Sequence, residues 1–417
     1  MSLWTVHGDG RSLADGEVVR SDERLSWPMT IALGGQHLVA MFGATVVVPA
    51  TTGFPISTTL LFSGIGTILF IALTRNRVPA YLGSSFAFVA PLVAAKSQGV
   101  PAELGGVLIA GVLLFVVGVA VKALGIRLVD SLMPPVVTGA VIVLITLNQA
   151  PAAAVRAGSQ VLFAALTVIV AALCAILSKG LLARLSVLIG VLVGWLAAAV
   201  AGRLDPGALS ALDNASWFGF PTLQHPELRS SVALLMLPAV FVLVAQNVAH
   251  IKAIGAVTGR DLEGHVGDAV IASGLATMLA GGGGGSASST YAENIGVMAA
   301  TRVYSTAAYL VAACGAIALS LCPKVSALVA TIPPGVIGGA TLMLYGLVAL
   351  VGVRIWIDNK VDLTDPLNLL IAGAAIAVGI GNVTVDIGPM QVGGIVWGSV
   401  LIVIGHPVLR RLRGRRG

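Results

Sequence analysis

Gly281-Gly282-Gly283-Gly284-Gly285-Ser286-Ala287-Ser288-Ser289-Thr290-Tyr291-Ala292-Glu293-Asn294 is a stretch that no lipid-facing helix can contain. Glycines, hydroxyl side chains and a carboxylate follow one another here, yet apolar runs flank the segment on both sides. Backbone released from regular helix at membrane depth must be satisfied by protein or must line a cavity. A second interruption lies in the first half of the chain. Between Arg77 and Lys96, the run from Val78 to Ala95 is broken by Gly83-Ser84-Ser85 and by Pro91. Two broken segments at matching places in two halves point to a binding site near the bilayer midplane. Their Ser, Thr and Gly content suits short extended stretches that lead into half-helices. The free N–H groups of such half-helices can donate to a carbonyl-bearing solute.

The chain around these segments is built for lipid. Of 417 residues, 57% are hydrophobic and 10% are charged, against about 25% charged in a typical soluble chain. Apolar runs occur at 29–50, 55–73, 81–95, 102–121, 131–149, 159–178, 183–202, 231–251, 267–284, 290–302, 304–322, 330–352, 367–383 and 391–408. The expected class is therefore an all-α integral membrane protein with about fourteen transmembrane spans. With the N-terminus in the cytoplasm, nineteen of the 24 Lys and Arg residues fall on the inside. Only Lys96, Arg156, Arg203, Arg229 and Lys324 fall outside, as the positive-inside rule requires. Residues 1–28 read as a polar cytoplasmic tail without a cleavable signal, and 203–229 as an extracytoplasmic connection. The basic end, 409–417, reads as a topology anchor against anionic lipid rather than a nucleic-acid site. Cys174, Cys314 and Cys322 form no CxxC pair, and no metal or other cofactor is expected.

Three pairs of segments repeat at offsets of about half the chain. Met133-Pro134-Pro135-Val136-Val137-Thr138-Gly139-Ala140 matches Ile332-Pro333-Pro334-Gly335-Val336-Ile337-Gly338-Gly339-Ala340. Gln36-His37 matches Gln246-Asn247, and Tyr81 matches Tyr291. Seven spans per half is an odd number, so the halves, 29–202 and 230–408, are expected as inverted repeats.

Among the polar residues, Glu293 weighs most, because a carboxylate inside the membrane costs a few kcal/mol and so has a partner or a function. Gln246 and His250 stand four apart on one face of the eighth span. Gln36 and His37 form a further polar pair, suited equally to substrate contact and to helix packing. Lys252 and Arg302 read as cytoplasmic anchors.

At these residues the chain resembles the nucleobase–ascorbate transporter family, in particular bacterial uracil permeases and their xanthine relatives. The family pattern of an acid or amide, then Asn-x-Gly, four residues and Thr-Arg, appears as Glu293-Asn294-Ile295-Gly296-Val297-Met298-Ala299-Ala300-Thr301-Arg302. The family's first-span Gln-His is Gln36-His37, and its third-span motif is Tyr81-Leu82-Gly83-Ser84-Ser85-Phe86. The resemblance implies a substrate-carrying core of spans 1–4 and 8–11. It implies a gate of spans 5–7 and 12–14, through which two copies form a homodimer in the bacterial inner membrane. It further implies substrate contacts at Ala44, Phe86, His250, Tyr291, Ala292 and Glu293, and proton coupling through Glu293 and His250. Gln36, His37, Ser84, Ser85, Asn294, Thr301 and Arg302 would support them. The chain departs from the uracil permeases in having Gln246 where they carry glutamate, and Ala292 where they carry glycine. Gln246 still donates and accepts toward an imide edge but takes up no proton.

Three function classes follow. The first is import of a nucleobase, uracil or a related pyrimidine, by proton symport, with a xanthine or purine carrier or a passive carrier as alternatives. An anion transporter would want an uncompensated positive field at the broken helices, which Glu293 opposes. A membrane enzyme would need a nucleophile–base pair or a metal cluster, and the sequence offers neither.

Overall fold

The computed structural model describes residues 3–11, 13, 17–125, 134–179, 181–383, 385–387 and 390–414. It begins with a folded N-terminal segment. Strand β1 (Thr5–Val6) pairs in parallel with β2 (Glu23–Arg24). Helices α1 (Trp27–Thr52) and α2 (Ile56–Leu73) follow. The third apolar run is no continuous helix: it is β3 (Leu82–Ser84), a 3-10 turn at Phe86–Phe88, and the short α3 (Val89–Ala95). Beyond it come α4 (Val100–Leu124), α5 (Pro135–Asn148), α6 (Ala150–Ser159), α7 (Val161–Leu177) and α8 (Ser186–Val200).

A short α9 (Pro206–Asn214), capped by the Asp205 carboxylate on the Ala208 N–H at 2.9 Å, lies in the polar connection. The second half opens with α10 (Ser230–Thr258) and α11 (Val266–Gly283). The glycine-rich stretch then gives β4 (Ser288–Thr290) and the half-length α12 (Ala292–Thr301). The chain continues through α13 (Thr306–Ser320), α14 (Pro323–Ala330), α15 (Pro334–Asp358) and α16 (Pro366–Ile380). A hairpin of β5 (Val385–Ile387) and β6 (Met390–Val392) leads to α17 (Gly394–Gly414).

Among the described residues, seven helical stretches are long and apolar enough to cross a membrane, and up to eight if the pair α13–α14, bent by 81°, is one span. Apolar side chains such as Val112, Val116 and Val119 on α4, and Leu173, Ile176 and Leu177 on α7, stand exposed. Such a surface needs lipid to cover it. The protein is a multi-pass integral membrane protein.

Two groups of helices pack mainly within themselves. In one, α4 lies along α10 and α11, while α2 lies against α11 and α13, and α1 against α13. In the other, α5 lies against α15 and α16, α15 also against α6 and α7, α7 against α8, and α16 against α17. The closest helix pair, α4 with α11, depends on small residues. A Cβ at Gly111 would stand 2.5 Å from the Met278 nitrogen, and one at Gly274 would stand 2.5 Å from the Phe115 nitrogen. Small residues let membrane helices approach where no hydrophobic force between them operates.

The described part of residues 1–28, read from the sequence as a polar tail, packs against the helices. Val19 bridges Val303 in parallel, its N–H donating to the Arg302 carbonyl at 3.0 Å and its carbonyl accepting from Tyr304 at 2.8 Å. Trp4 Nε1 donates to Thr306 Oγ1 at 2.7 Å, and Val19 and Leu25 are buried with Val303. The segment is a cap seated on the ends of α2, α10 and α12.

Candidate functional site: a crossing of two interrupted helices

The site is built where the two broken segments meet. β3 and β4 run antiparallel, with Leu82 opposite Thr290, Gly83 opposite Ser289 and Ser84 opposite Ser288. This two-stranded contact satisfies backbone that neither segment could satisfy alone at membrane depth. Side chains complete it with the same bond twice. Thr67 Oγ1 on α2 accepts the Leu82 N–H at 2.9 Å and reaches the Leu82 carbonyl at 3.3 Å. Thr277 Oγ1 on α11 accepts the Ser288 N–H at 3.1 Å and reaches the Ser288 carbonyl at 3.2 Å.

The tyrosines lock the crossing. Tyr291 donates its hydroxyl to the Ser84 carbonyl at 3.0 Å and meets Thr45 Oγ1 at 3.2 Å. Its backbone N–H donates to the Tyr81 carbonyl at 3.0 Å. Tyr81 in turn takes a hydrogen bond from Ser63 at 3.0 Å. Gly83 is needed for this closeness: a Cβ there would lie 2.5 Å from the Tyr291 ring.

After each strand the chain turns into a half-helix, and the first turns of both leave N–H groups without helical partners. Between these ends and the second helix group lies a cavity of about 500 Å³, within the 300–1,000 Å³ usual for small-molecule sites. Ser84, Phe86, Ser289, Thr290, Tyr291, Ala292 and Glu293 line it from the crossing. Gln246 and His250 line it from α10, together with the small side chains Ala245, Ala249 and Ala253. Ile142 on α5, and Val348, Val351 and Ile355 on α15, supply an apolar wall opposite. Arg354 and Asp358, paired at 3.3 Å and both exposed, stand at its mouth. A smaller chamber, also lined by Gln246 and Phe86, continues to Thr146, Gln149 and Tyr345.

The polar groups in the cavity are poised rather than saturated. His250 Nδ1 lies 2.7 Å from Thr290 Oγ1, which orients the ring. Gln246 Oε1 and Ser84 Oγ are buried without a partner among the described residues. Glu293 makes no ion pair among the described residues. Orphaned polar atoms carry a desolvation cost of about 1–3 kcal/mol each, which a hydrogen-bonding ligand relieves. No group of three metal-binding side chains occurs among the described residues.

Other residues singled out by the sequence lie behind the cavity. His37 is buried and receives Asn294 Nδ2 twice, at its carbonyl (3.0 Å) and at Nδ1 (3.1 Å). Its ring stacks at 4.2 Å on Tyr309, whose hydroxyl donates to the Asn294 carbonyl. Gln36 is half-buried on α1 with Oε1 unpartnered and away from the cavity wall. Ser85 caps the 3-10 turn by accepting from the Ala87 N–H at 3.3 Å. Thr301 bonds back to the Val297 carbonyl at 3.0 Å, and Arg302, at φ 57°, ends α12 in the left-handed region. Asn294, His37, Thr301 and Arg302 brace the half-helix, Ser85 caps the first arm, and none of them lines the cavity at the crossing or the chamber beside it. Ala44 sits on α1 and its side chain is outside the described residues. The wall from α5 and α15 was not singled out in the sequence, although Val348 and Ile355 sit seven apart on one helix face.

A family model described as a permease family matches residues 28–388, most of the chain. The chain belongs to this permease family, the one its Gln-His and Glu-Asn-x-Gly motifs resemble. Among curated relatives of the permease, RutG of Escherichia coli (strain K12), provisionally named a pyrimidine permease, is 41% identical over 404 residues, 92% of this chain and 91% of RutG. A uracil permease of Bacillus caldolyticus is 38% identical over 91% of each chain. Among solved structures, the transmembrane domain of the cyanobacterial bicarbonate transporter BicA matches with a TM-score of 0.57 at 15% identity, over 90% of the permease and 98% of that domain. That likeness concerns the fold alone.

Proposed function

We propose that this permease imports a nucleobase, uracil or a related pyrimidine, across the bacterial inner membrane. The observation that carries the reading is the cavity itself. The starts of two half-helices, the Glu293 carboxylate, one carboxamide and one imidazole converge there, and the other charges in the lining, Arg354 and Asp358, are paired with each other at the mouth. That set complements an uncharged ring with alternating carbonyl and N–H groups. The N–H groups donate to ring carbonyls, Glu293 accepts a ring N–H, and Gln246 does either. Phe86, Tyr291, Ala292 and His250 complete the contact surface. The names of the relatives point to the same solutes.

The transport cycle we infer is alternating access. The group containing α1–α4 and α10–α13 is the core that carries the substrate, and the group containing α5–α8 and α15–α17 is the gate. Contacts within each group far outweigh those between them, which suits a sliding boundary. Fourteen spans in two inverted seven-span repeats, 29–202 and 230–408, account for the antiparallel strand crossing and for the paired roles of Thr67 and Thr277. The termini are cytoplasmic, 203–229 lies outside, and two copies associate through their gates. The basic segment 409–417 meets anionic lipid.

Coupling to protons runs through Glu293, with His250 one turn from Gln246 as a second proton site. A protonated Glu293 donates its O–H to one substrate carbonyl and accepts the ring N–H at its carbonyl oxygen, and deprotonation on the inside removes the donor and releases the solute. The test is uptake of radiolabelled uracil into proteoliposomes with competing thymine, xanthine and adenine, with and without an inward proton gradient at clamped membrane potential. Accumulation that a protonophore abolishes supports symport. Equilibration alone leaves a passive nucleobase carrier, the reading favoured by glutamine at position 246.

A further inference from the structure

A second cavity, of about 360 Å³, lies away from the crossing, under the N-terminal cap. Arg20 and Ser21 of the cap form one wall, Arg77 and Pro79 before β3 another, and Gly259 and Arg260 after α10 the third. Three guanidinium groups thus border one space that contains no carboxylate in its lining. Asp22, next to Ser21, is exposed and outside the lining, and three further nearby acids have other partners. Glu23 accepts from the Arg20 N–H at 3.0 Å and pairs with His7 at 2.9 Å, Glu263 faces Lys252 at 3.9 Å, and Asp261 accepts from the Glu263 N–H at 2.9 Å. No ion pair among the described residues includes Arg20, Arg77 or Arg260.

Positive charge at a cytoplasmic helix end is ordinary for topology. Three arginines from three separate chain segments, all exposed, line one concavity whose lining has no acid, and this exceeds that need. Like charges so placed repel, and the fold bears that repulsion unless an anion fills the space. The planar forks of arginine match the oxygens of a phosphoryl group.

We propose that this cavity binds a phosphoryl-bearing anion, which fastens the N-terminal cap to the core and so regulates transport. Besides the Val19–Val303 bridge, the Trp4 bond and the small apolar cluster, the cap is held by polar bonds beside the cavity. Arg260 donates to Ser21 Oγ at 3.1 Å, and the Ser21 carbonyl accepts from Thr306 at 2.8 Å. The cavity adjoins both arms of the crossing: Arg77 and Pro79 lead into β3, and Tyr304, also in its lining, follows α12. An anion here ties both arms of the crossing to the cap and resists their displacement. In the orientation proposed above, the cavity faces the cytoplasm, where both phosphate metabolites and anionic lipid headgroups occur.

The test uses the full chain in lipid nanodiscs and follows trypsin cleavage of the cap at Arg11. In phosphatidylcholine discs, inorganic pyrophosphate is expected to slow this cleavage about tenfold, an effect that high salt weakens. In phosphatidylglycerol discs without pyrophosphate, equal protection would identify the lipid headgroup as the source of the phosphoryl group. Protection by either anion supports the site, and the pattern between the two arms tells which. The paired substitution Arg77→Gln and Arg260→Gln should remove the protection, and Arg20→Gln should reduce it. Substrate uptake by the paired variant checks that it is folded. If neither anion protects the unmodified chain, or if the paired variant is protected equally, the proposal is overturned. Loss of nucleobase selectivity in the uptake experiment would leave this result untouched, so the two readings fail separately.

Discussion

The two arms of the crossing share a scaffold and differ in chemistry. Each arm is a three-residue strand whose backbone is held by a threonine from a neighbouring helix, Thr67 for one and Thr277 for the other. Each then turns into a half-helix. Yet the first arm brings only Ser84 and Phe86 to the cavity, whereas the second brings Ser289, Thr290, Tyr291, Ala292 and Glu293. The helices behind them diverge the same way: α1 offers His37 to Asn294 as internal support, and α10 turns Gln246 and His250 into the cavity. Duplicated backbone solves a problem common to both halves, the satisfaction of broken helix in lipid. In the function proposed above, recognition draws on a single asymmetric set of groups, and most of the polar lining comes from the second half.

The largest effect should follow from removing the carboxyl that makes the arms unequal. Glu293→Gln keeps the shape but loses the acidic donor and the group that takes up and releases the proton, which costs about 1–3 kcal/mol of substrate binding. Uptake of uracil should fall about 10- to 100-fold while the protein stays in the membrane at normal level. Uptake at unchanged affinity would show that the second arm does not hold the solute.

Next comes the close approach between the arms. Gly83→Val places carbon where the Tyr291 ring stands, 2.5 Å from an added Cβ. Overpacking of this kind costs about 1–3 kcal/mol, and the displaced Tyr291 should take uptake with it. A variant with normal melting temperature and normal uptake would mean that the arms are less tightly joined than the Tyr291 bond to the Ser84 carbonyl implies.

Thr67→Val and Thr277→Val probe the shared scaffold. Each removes one bond to a strand N–H and should lower stability by a similar amount, about 1–3 kcal/mol. Uptake should suffer more from Thr277→Val, because β4 leads directly to Glu293. Thermal unfolding and uptake of the two variants decide this, and unequal losses of stability would break the equivalence of the arms.

The sequence carried the crossing but hid its supports. Glycine runs, serines and a carboxylate inside an apolar chain have one physical explanation, so the broken segments and Glu293 were legible. The spacing of Gln246 and His250 likewise put both on one face. Thr67 and Thr277 carried no such signal, because a threonine in a membrane helix commonly bonds back to its own helix, as Thr52, Thr74 and Thr146 do here. Only tertiary contact distinguishes a threonine that holds a strand. The N-terminal cap was missed for a related reason: its charge suggested a solvated tail, and its few anchors, Trp4, Val19 and Leu25, are scattered without period. Asn294 and His37 were singled out as a motif and a pair, but their mutual bond needed the fold.

The smallest effect, and the one that sharpens the comparison most, is expected from Gln246→Glu. Gln246 lies in the wall shared by the main cavity and the smaller chamber, with Oε1 buried and unpartnered. It matches Gln36 on the first-half helix α1, which lines neither cavity. The substitution changes little volume, so folding should be preserved. It adds a second carboxyl to a cavity that already holds Glu293, and two carboxylates in a confined space resist ionising together. One proton is then retained to higher pH, and uptake should persist into more alkaline medium than in the unmodified chain, with a change of at most a few-fold at neutral pH. Gln36→Glu serves as the control, since Gln36 lines neither of these cavities and the change should leave the pH profile of uptake where it was. Uptake profiles of the two variants between pH 5 and pH 9 measure the difference. If both profiles overlie that of the unmodified protein, Gln246 is packing like its counterpart, and the asymmetry of the site is confined to the crossing arm that carries Glu293. If both shift, the two halves are more alike in function than their side chains indicate, and the proton path includes the first.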